Sequence, residues 1–129
     1  MIGILLVTHE SLGASLARCA EHILGAMPAQ LECIGVLPKD DPAQVRLRAR
    51  DALQRLDQGD GVMVFTDVAG ATPCNVAATL IAPGRIEAIA GVNLPMLMRA
   101  LTYRQGSLGD LSEKARIGGV AGIVSVPAC

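Results

Sequence analysis

The chain has 129 residues, a formal net charge of −1, 51% hydrophobic residues and only 2% aromatic residues. This length and apolar content predict one folded domain with an aliphatic core and exclude a disordered chain. The near-neutral charge argues against binding to nucleic acid or to an anionic membrane. The shortage of aromatic rings also argues against binding single strands by base stacking.

The cysteines and the N-terminus set expectations about metals and localisation. The four cysteines show no CxxC spacing and only two histidines accompany them, so we expect no metal site and no cofactor. Their pattern is typical of reduced thiols in a cytoplasmic protein. The apolar N-terminal run is too short for a signal peptide or a membrane helix, so we expect no membrane insertion.

Apolar runs of strand length alternate with stretches of helical periodicity along the whole chain. The predicted strands are 2–7, 31–37, 61–66, 85–90 and 118–126. The predicted helices are 12–24, 42–58, 73–82, 96–101 and 108–116. This alternation predicts a single α/β domain over residues 1–129 with a doubly wound, mostly parallel sheet.

Three helix starts carry sequence signals. Asp41 is a predicted cap with Pro42 at the first helical position, Thr72 is a predicted cap before Pro73, and Ser107 has capping-box-like spacing to Asp110.

The last predicted strand, 118–126, is rich in glycine and begins with a glycine pair. Glycine weakens the interior of a strand, so this segment is predicted to be an edge strand or a strand exchanged between subunits. A mean hydropathy of +0.44 is high for a monomer and also favours a subunit interface.

Polar residues follow three of the predicted strands, at 8–10, at 67–73 and at 91–93. Carboxyl ends of parallel strands meet at one edge of a sheet, where ligands bind in open α/β folds. There a carboxylate from Asp67 would fix the tautomer of His9, and the other ring nitrogen would be aimed outward as a nucleophile.

The second of these turns, at 67–73, suits an anion. The chain near Gly70 and Ala71 can bring backbone N–H groups close to a phosphate, and the hydroxyl of Thr72 can donate a further bond. Taken singly, His9, Asp67 and Thr72 are most simply turn and cap residues, and Glu10 and Ser11 are most simply caps of the first helix. Taken together at one sheet edge, they favour a phosphoryl site.

A response-regulator receiver is a rival interpretation, because Asp67 ends the third strand as the phosphate-accepting aspartate does there. That chemistry needs an acidic metal-binding cluster after the first strand, where this chain has Thr8, His9 and only one acid, Glu10. His22 lies within a predicted helix and receives no role. No GxxxxGK[ST] or GxGxxG nucleotide motif is present.

Three stretches carry a family resemblance: GILLVTHESLGASL at 3–16, VFTDVAGATPCNVA at 64–77 and AIAGVNLPMLMRAL at 88–101. Their order and spacing resemble the IIA domain of the mannose family of bacterial sugar phosphotransferase systems, along nearly the whole chain.

The resemblance implies that His9 accepts a phosphoryl group from the phosphohistidine form of the carrier protein HPr and passes it to a separate IIB component. It implies that Asp67 orients His9 and that Gly70, Ala71 and Thr72 hold the phosphoryl oxygens. It also implies a homodimer that exchanges its C-terminal strand.

Three other functions stay open at this point. One is a regulatory IIA-like protein of an incomplete system, whose partners change with the phosphorylation of His9. Another is the phosphotransfer subunit of dihydroxyacetone kinase, whose fold is similar. The last is a non-catalytic α/β dimer. The sugar, the acceptor and the phosphorylated ring nitrogen are not determined by these patterns.

Overall fold

The computed structural model describes residues 1–129 and contains four strands and five helices. In chain order these are β1 (Gly3–His9), α1 (Leu12–Leu24), β2 (Leu31–Val36), α2 (Pro42–Leu56), β3 (Val62–Thr66), α3 (Thr72–Ala78), β4 (Ile86–Ala90), α4 (Leu94–Thr102) and α5 (Leu108–Ala121). No helix is both long and apolar enough to cross a membrane.

The sheet is entirely parallel, with the strand order β2-β1-β3-β4. Helices cover both faces, which confirms the predicted doubly wound α/β fold. The chain leaves β1 toward β2 on one side and later reaches β3 on the other, so the strand order reverses between β1 and β3. Ligand sites of such sheets lie outside the carboxyl ends of the strands at that reversal.

Each face of the sheet packs a separate core of 13 buried residues. Alternate residues of β1 divide between them: Ile4 and Leu6 pack under α1, α4 and α5, while Leu5 and Val7 pack under α2 and α3. Both faces of the central strands are therefore buried, which explains their nearly continuous apolar sequence.

The helix starts agree with two of the three predicted caps. Asp41 accepts the backbone N–H of Ala43, and Ser107 accepts the backbone N–H of Asp110. The prediction for Thr72 is wrong: Thr72 is the first residue of α3 and Ala71 occupies the cap position without a side-chain bond. Thr72 consequently keeps its hydroxyl available for other partners.

The predicted strand at 118–126 is wrong over its first part, because α5 continues through Ala121. The glycines there serve close helix packing. A Cβ atom on Gly118 would lie 2.8 Å from Arg99 Cβ, and one on Gly119 would lie 2.6 Å from Met96 Cε. The residues that follow, 123–129, form no strand within this chain and are exposed.

Two helix ends also differ from prediction. The helix α2 ends at Leu56, and Asp57 rather than Gly59 forms its C-cap. The helix α3 ends at Ala78, four residues early, because Ala82 makes an isolated antiparallel bridge with Ile86 that belongs to the turn into β4.

Candidate functional site

The carboxyl ends of β1 and β3 lie side by side. Val7 of β1 is in register with Thr66, the last residue of β3, so His9 and Asp67 leave neighbouring strands at the same edge. His9 is the final residue of β1, paired in register with Val36, rather than a residue of the following turn. Pairing with β2 therefore fixes the backbone of His9 on one side.

His9 and Asp67 make two contacts through one carboxylate oxygen. Asp67 Oδ2 accepts the backbone N–H of His9 at 2.8 Å and lies 2.7 Å from Nδ1 of the imidazole. The second oxygen, Oδ1, accepts the backbone N–H of Val68 at 3.0 Å. The carboxylate is thus fixed by the main chain before it orients the ring.

This arrangement selects the tautomer. An ionised carboxylate only accepts hydrogen bonds, so Nδ1 of His9 carries the proton and donates it to Asp67. Nε2 then has the free lone pair. The His9 side chain is 49% exposed, whereas that of Asp67 is only 11% exposed. The imidazole is therefore half-exposed, while the carboxylate that holds it is largely covered.

The charge of Asp67 follows from the same contacts. Partial burial by itself raises the pKa of Asp67, but the backbone and ring hydrogen bonds from His9 outweigh it and hold the pKa below its ordinary value. The carboxylate is accordingly negative at neutral pH. A negative carboxylate in this position would stabilise positive charge on the imidazole if Nε2 formed a new bond.

The turn after His9 is held in an uncommon conformation. Glu10 has φ +47°, in the left-handed region that residues with a Cβ atom rarely adopt. Its N–H donates to Val36 O at 2.9 Å, and its carbonyl oxygen would lie only 2.2 Å from a Cβ atom on Gly35. Gly35 is a site residue that sequence reasoning missed, because its role depends on contact with a distant turn.

A cavity of about 260 Å³ opens beside the histidine. His9, Glu10, Asp40 and Thr72 line it, together with apolar residues that follow β2. Of the three predicted phosphoryl-binding residues, only Thr72 borders this cavity. Gly70 and Ala71 lie in the turn just before it, where Gly70 has φ +85° and requires glycine.

The turn at 91–93 serves packing rather than the site. The N–H groups of Gly91 and Val92 both donate to Thr66 O. The Asn93 side chain caps α4 by accepting the N–H of Met96 and donates to Gly119 O at 3.0 Å. Asn93 therefore joins α4 to α5. Only two of the three predicted turns, 8–10 and 67–73, contribute to the site around His9.

Thr8 supports the site from inside. Its side chain is fully buried, and its hydroxyl oxygen accepts the N–H of Gly13 at 2.8 Å. This bond ties the first turn of α1 to the end of β1. Ser11, in contrast, makes no capping bond with its side chain. Across the whole structure, no group of three or more His, Cys, Asp or Glu side chains is arranged to hold a metal ion.

The model of the family described as "PTS system fructose IIA component" matches residues 3–116. The chain belongs to the mannose family of IIA components of the sugar phosphotransferase system. It is 31% identical over 104 residues, or 80% of its length, to the mannose-specific EIIAB component of Escherichia coli K12. It is 40% identical over 55 residues, 42% of its length, to the fructose-specific EIIA component of Bacillus subtilis.

The aligned regions span 32% and 38% of these two relatives, so this IIA chain matches only about a third of their length. Among solved structures, the EIIA component of Streptococcus agalactiae superimposes with a TM-score of 0.87 at 27% identity, with 97% of each chain covered. The mannose/sorbose IIA subunit of Enterococcus faecalis gives 0.88 at 18% identity over 99% of this chain and 96% of its own, which shows the shared fold.

Proposed function

We propose that this IIA chain is a phosphoryl carrier that accepts phosphate on His9 from phospho-HPr and passes it to a IIB component. The observation that carries the proposal is the 2.7 Å contact between His9 Nδ1 and Asp67 Oδ2, which leaves Nε2 of a half-exposed imidazole free. A nucleophile with a fixed tautomer and a supporting carboxylate is what transfer from a phosphohistidine requires. As a phosphotransferase component, the chain would hold the group covalently between two partners.

In the proposed reaction, the lone pair of His9 Nε2 attacks the phosphorus of the donor. The P–N bond of the donor breaks as the new one forms, and its electron pair returns to the donor imidazole. The ring of His9 gains positive charge, which the Asp67 carboxylate stabilises through Nδ1–H. Such a transfer depends mainly on positioning and on charge stabilisation.

The phosphoryl oxygens are proposed to lie against the turn at 70–72. Thr72 borders the same cavity as His9, and its hydroxyl makes no capping bond, which supports a role as a donor to a phosphoryl oxygen. Gly70 and Ala71 would contribute backbone N–H groups from the same turn. In this proposal backbone and hydroxyl donors hold the phosphoryl oxygens, so no metal is assigned.

A homodimer that exchanges the C-terminal segment is part of the proposal. Residues 123–129 are exposed, although Ile123 and Val126 are apolar and are 76% and 89% exposed. Strand β4 is at the edge of the sheet, and β3 is the only strand beside it. An extended segment from a second copy would pair with that edge and cover the apolar residues. We place the carrier in the cytoplasm with its protein partners.

Phosphotransfer to the purified chain tests the proposal. Phosphoenolpyruvate, enzyme I and HPr of the same organism are supplied to the native chain and to His9→Ala and His22→Ala variants. The native chain and His22→Ala are expected to gain the mass of one acid-labile phosphate, and His9→Ala none. An unlabelled native chain, or a label that persists in His9→Ala, would overturn the proposal.

A further inference from the structure

The side chain of Glu87 has a buried oxygen atom without a hydrogen-bond partner. Its Oε2 is one of only two buried side-chain nitrogen or oxygen atoms of the chain that lack a partner. A buried carboxylate oxygen without a donor is costly, so such an atom in a native protein requires an explanation. The arginines that have a carboxylate partner all pair with other acids, and they are Arg55, Arg85 and Arg116.

Glu87 lies on β4, at the edge of the sheet. Its register partner on β3 is Met63, which belongs to the core under α1, α4 and α5, so Glu87 and Ile89 are on the side of that core. Ile86 and Ala88 pack against the opposite core. The unpartnered oxygen of Glu87 is therefore on a mostly apolar face of the strand that has a free edge.

Only part of that edge is open to another strand. The C=O of Arg85 accepts an N–H from β3, so the backbone groups of odd-numbered residues point into the sheet and those of residues 86, 88 and 90 point outward. The N–H and C=O of Ile86 already exchange two bonds with Ala82. The backbone groups of Ala88 and Ala90 are left for a new strand.

The C-terminal segment, residues 123–129, has the pattern of a strand that fits this edge. Residues 124–129 make no backbone hydrogen bond, and Val124 and Val126 are 70% and 89% exposed. Ser125 lies between the two valines and carries the only side-chain hydroxyl after residue 112. Successive residues of a strand point to opposite faces, so Ser125 and the valines would lie on different faces of the sheet.

We propose that the C-terminal segment of a second copy pairs antiparallel with β4, so that its Ser125 hydroxyl donates to Glu87 Oε2. This inference rests on the exchanged homodimer of the proposed function and names the contact that sets its register. A carboxylate oxygen accepts hydrogen bonds, and a hydroxyl is a suitable donor. In the same alignment, the apolar Ile123 lies opposite Ile89 on that face.

The proposed register also satisfies the backbone groups. Val124 lies opposite Ala88 and exchanges two hydrogen bonds with it. Ser125 and Glu87 then form the neighbouring pair without backbone bonds, in which side chains lie closest together. The new pairing ends at Ile86, whose backbone groups are already bonded.

A parallel alignment with the same contact between Ser125 and Glu87 fails for a physical reason. In a parallel pair, the C=O of Ala88 accepts the N–H of the residue two positions after Ser125. That residue is Pro127, which has no N–H. The antiparallel alignment places Pro127 beyond the end of the pairing, where no donor is required.

A double-mutant cycle on the monomer–dimer equilibrium, measured by analytical ultracentrifugation, tests the contact. Ser125→Ala removes the donor and leaves the buried carboxylate, so it is expected to raise the dimer Kd at least about tenfold, because a symmetric dimer loses the contact twice. Glu87→Met replaces the carboxylate with an apolar group of similar size. Against that background, Ser125→Ala should change the Kd less than about threefold.

Disulfide crosslinking tests the register. The four native cysteines are first replaced by alanine. Glu87→Cys with Ser125→Cys then places two thiols in a pair without backbone bonds, at a Cα separation of about 4.5 Å that a disulfide can span. Mild oxidation should give a covalent dimer. The control pair, Glu87→Cys with Val124→Cys, has its thiols on opposite faces and should react at least about tenfold more slowly.

Three results would overturn the contact while the carrier function stands. They are an equal effect of Ser125→Ala in both backgrounds, crosslinking of the control pair as fast as the matched pair, and a disulfide that closes within one chain. A native chain that stays monomeric would remove the exchanged dimer and the contact together. Phosphoryl labelling of His9 in the same samples reports separately on the carrier function.

Discussion

Two aspartates at opposite ends of β3 show how the same chemical group serves different ends. Asp57 lies before the strand, where its carboxylate accepts the N–H groups of Gly59 and Gly61 and pairs with Arg85. Asp67 lies after the strand. Its carboxylate accepts hydrogen bonds from the backbone N–H groups of His9 and Val68 and from Nδ1 of the His9 imidazole.

Both carboxylates are held in the charged form. The backbone hydrogen bond from Gly59 is the largest influence on Asp57, and with Gly61 and Arg85 it holds the pKa of Asp57 below its ordinary value despite partial burial. For Asp67, burial is the largest single influence and raises the pKa. The hydrogen bonds from His9 together outweigh it and hold the pKa of Asp67 below its ordinary value. The environment of a carboxylate alone therefore does not distinguish a structural aspartate from one at a functional site.

The partner makes the difference. The guanidinium of Arg85 stays protonated at any ordinary pH and has no lone pair to offer, so Asp57 and Arg85 form a static pair. The imidazole of His9 has a second nitrogen that a neutral ring can use as a nucleophile. A fixed carboxylate indicates function only where its partner is still able to react.

Removal of each carboxylate should separate the two roles. Asp67→Ala is expected to lower the rate of phosphoryl transfer to His9 on the order of 100-fold, because the ring loses its fixed tautomer and its counter-charge. Asp57→Ala should keep the native rate per folded molecule within about twofold. Single-turnover labelling, corrected for the folded fraction by circular dichroism, checks both; a native-like rate in Asp67→Ala would contradict the orienting role.

The carboxyl end also depends on a close backbone approach between Gly35 and Glu10. Gly35→Ala would place a Cβ atom 2.2 Å from the carbonyl oxygen of Glu10, so we expect a loss of about 1–3 kcal/mol in unfolding free energy. The transfer rate should fall as the His9 turn shifts. Gly109→Ala is the control, because a Cβ atom there meets nothing within 4 Å. Equal stability of the two variants in urea would disprove the steric argument.

At the other end, Asp57→Ala is expected to cost about 1–2 kcal/mol of unfolding free energy. The cost arises because the N–H groups of Gly59 and Gly61 lose their acceptor and Arg85 loses its partner. Arg85→Ala should cost less, about 0–1 kcal/mol, since that side chain is 62% exposed. Denaturant titration of both variants measures the difference; a larger loss for Arg85→Ala would show that the ion pair, not the turn, dominates.

The smallest expected effect is on acid stability. The pKa of Asp57 in the folded chain lies below its ordinary value of 3.8, so its contribution is complete above about pH 5. That contribution is lost as the pH falls through the lower, folded pKa. Asp57→Asn should therefore show a shallower decline in unfolding free energy than the native chain between about pH 5 and about pH 2. Parallel declines would contradict the shifted pKa of Asp57.

Much of the fold was predictable because it depends on local patterns. Continuous apolar runs marked β1 and β3, and helical spacing with Asp41 and Pro42 marked α2. The prediction at 118–126 failed for a non-local reason. Gly118 and Gly119 suggested a weak strand, whereas they provide the space in which α5 packs against α4.

By itself, the sequence determined the order of elements as far as α5, the parallel sheet and the meeting of His9 with Asp67, since residues that end adjacent parallel strands must share an edge. Only the tertiary structure decided which ring nitrogen of His9 contacts Asp67, why Gly35 is needed beside Glu10, and which arginines lack a carboxylate partner. These depend on distances between residues far apart in the chain, such as the 2.7 Å from His9 Nδ1 to Asp67 Oδ2. Packing of the whole domain sets such distances, and no local pattern encodes them.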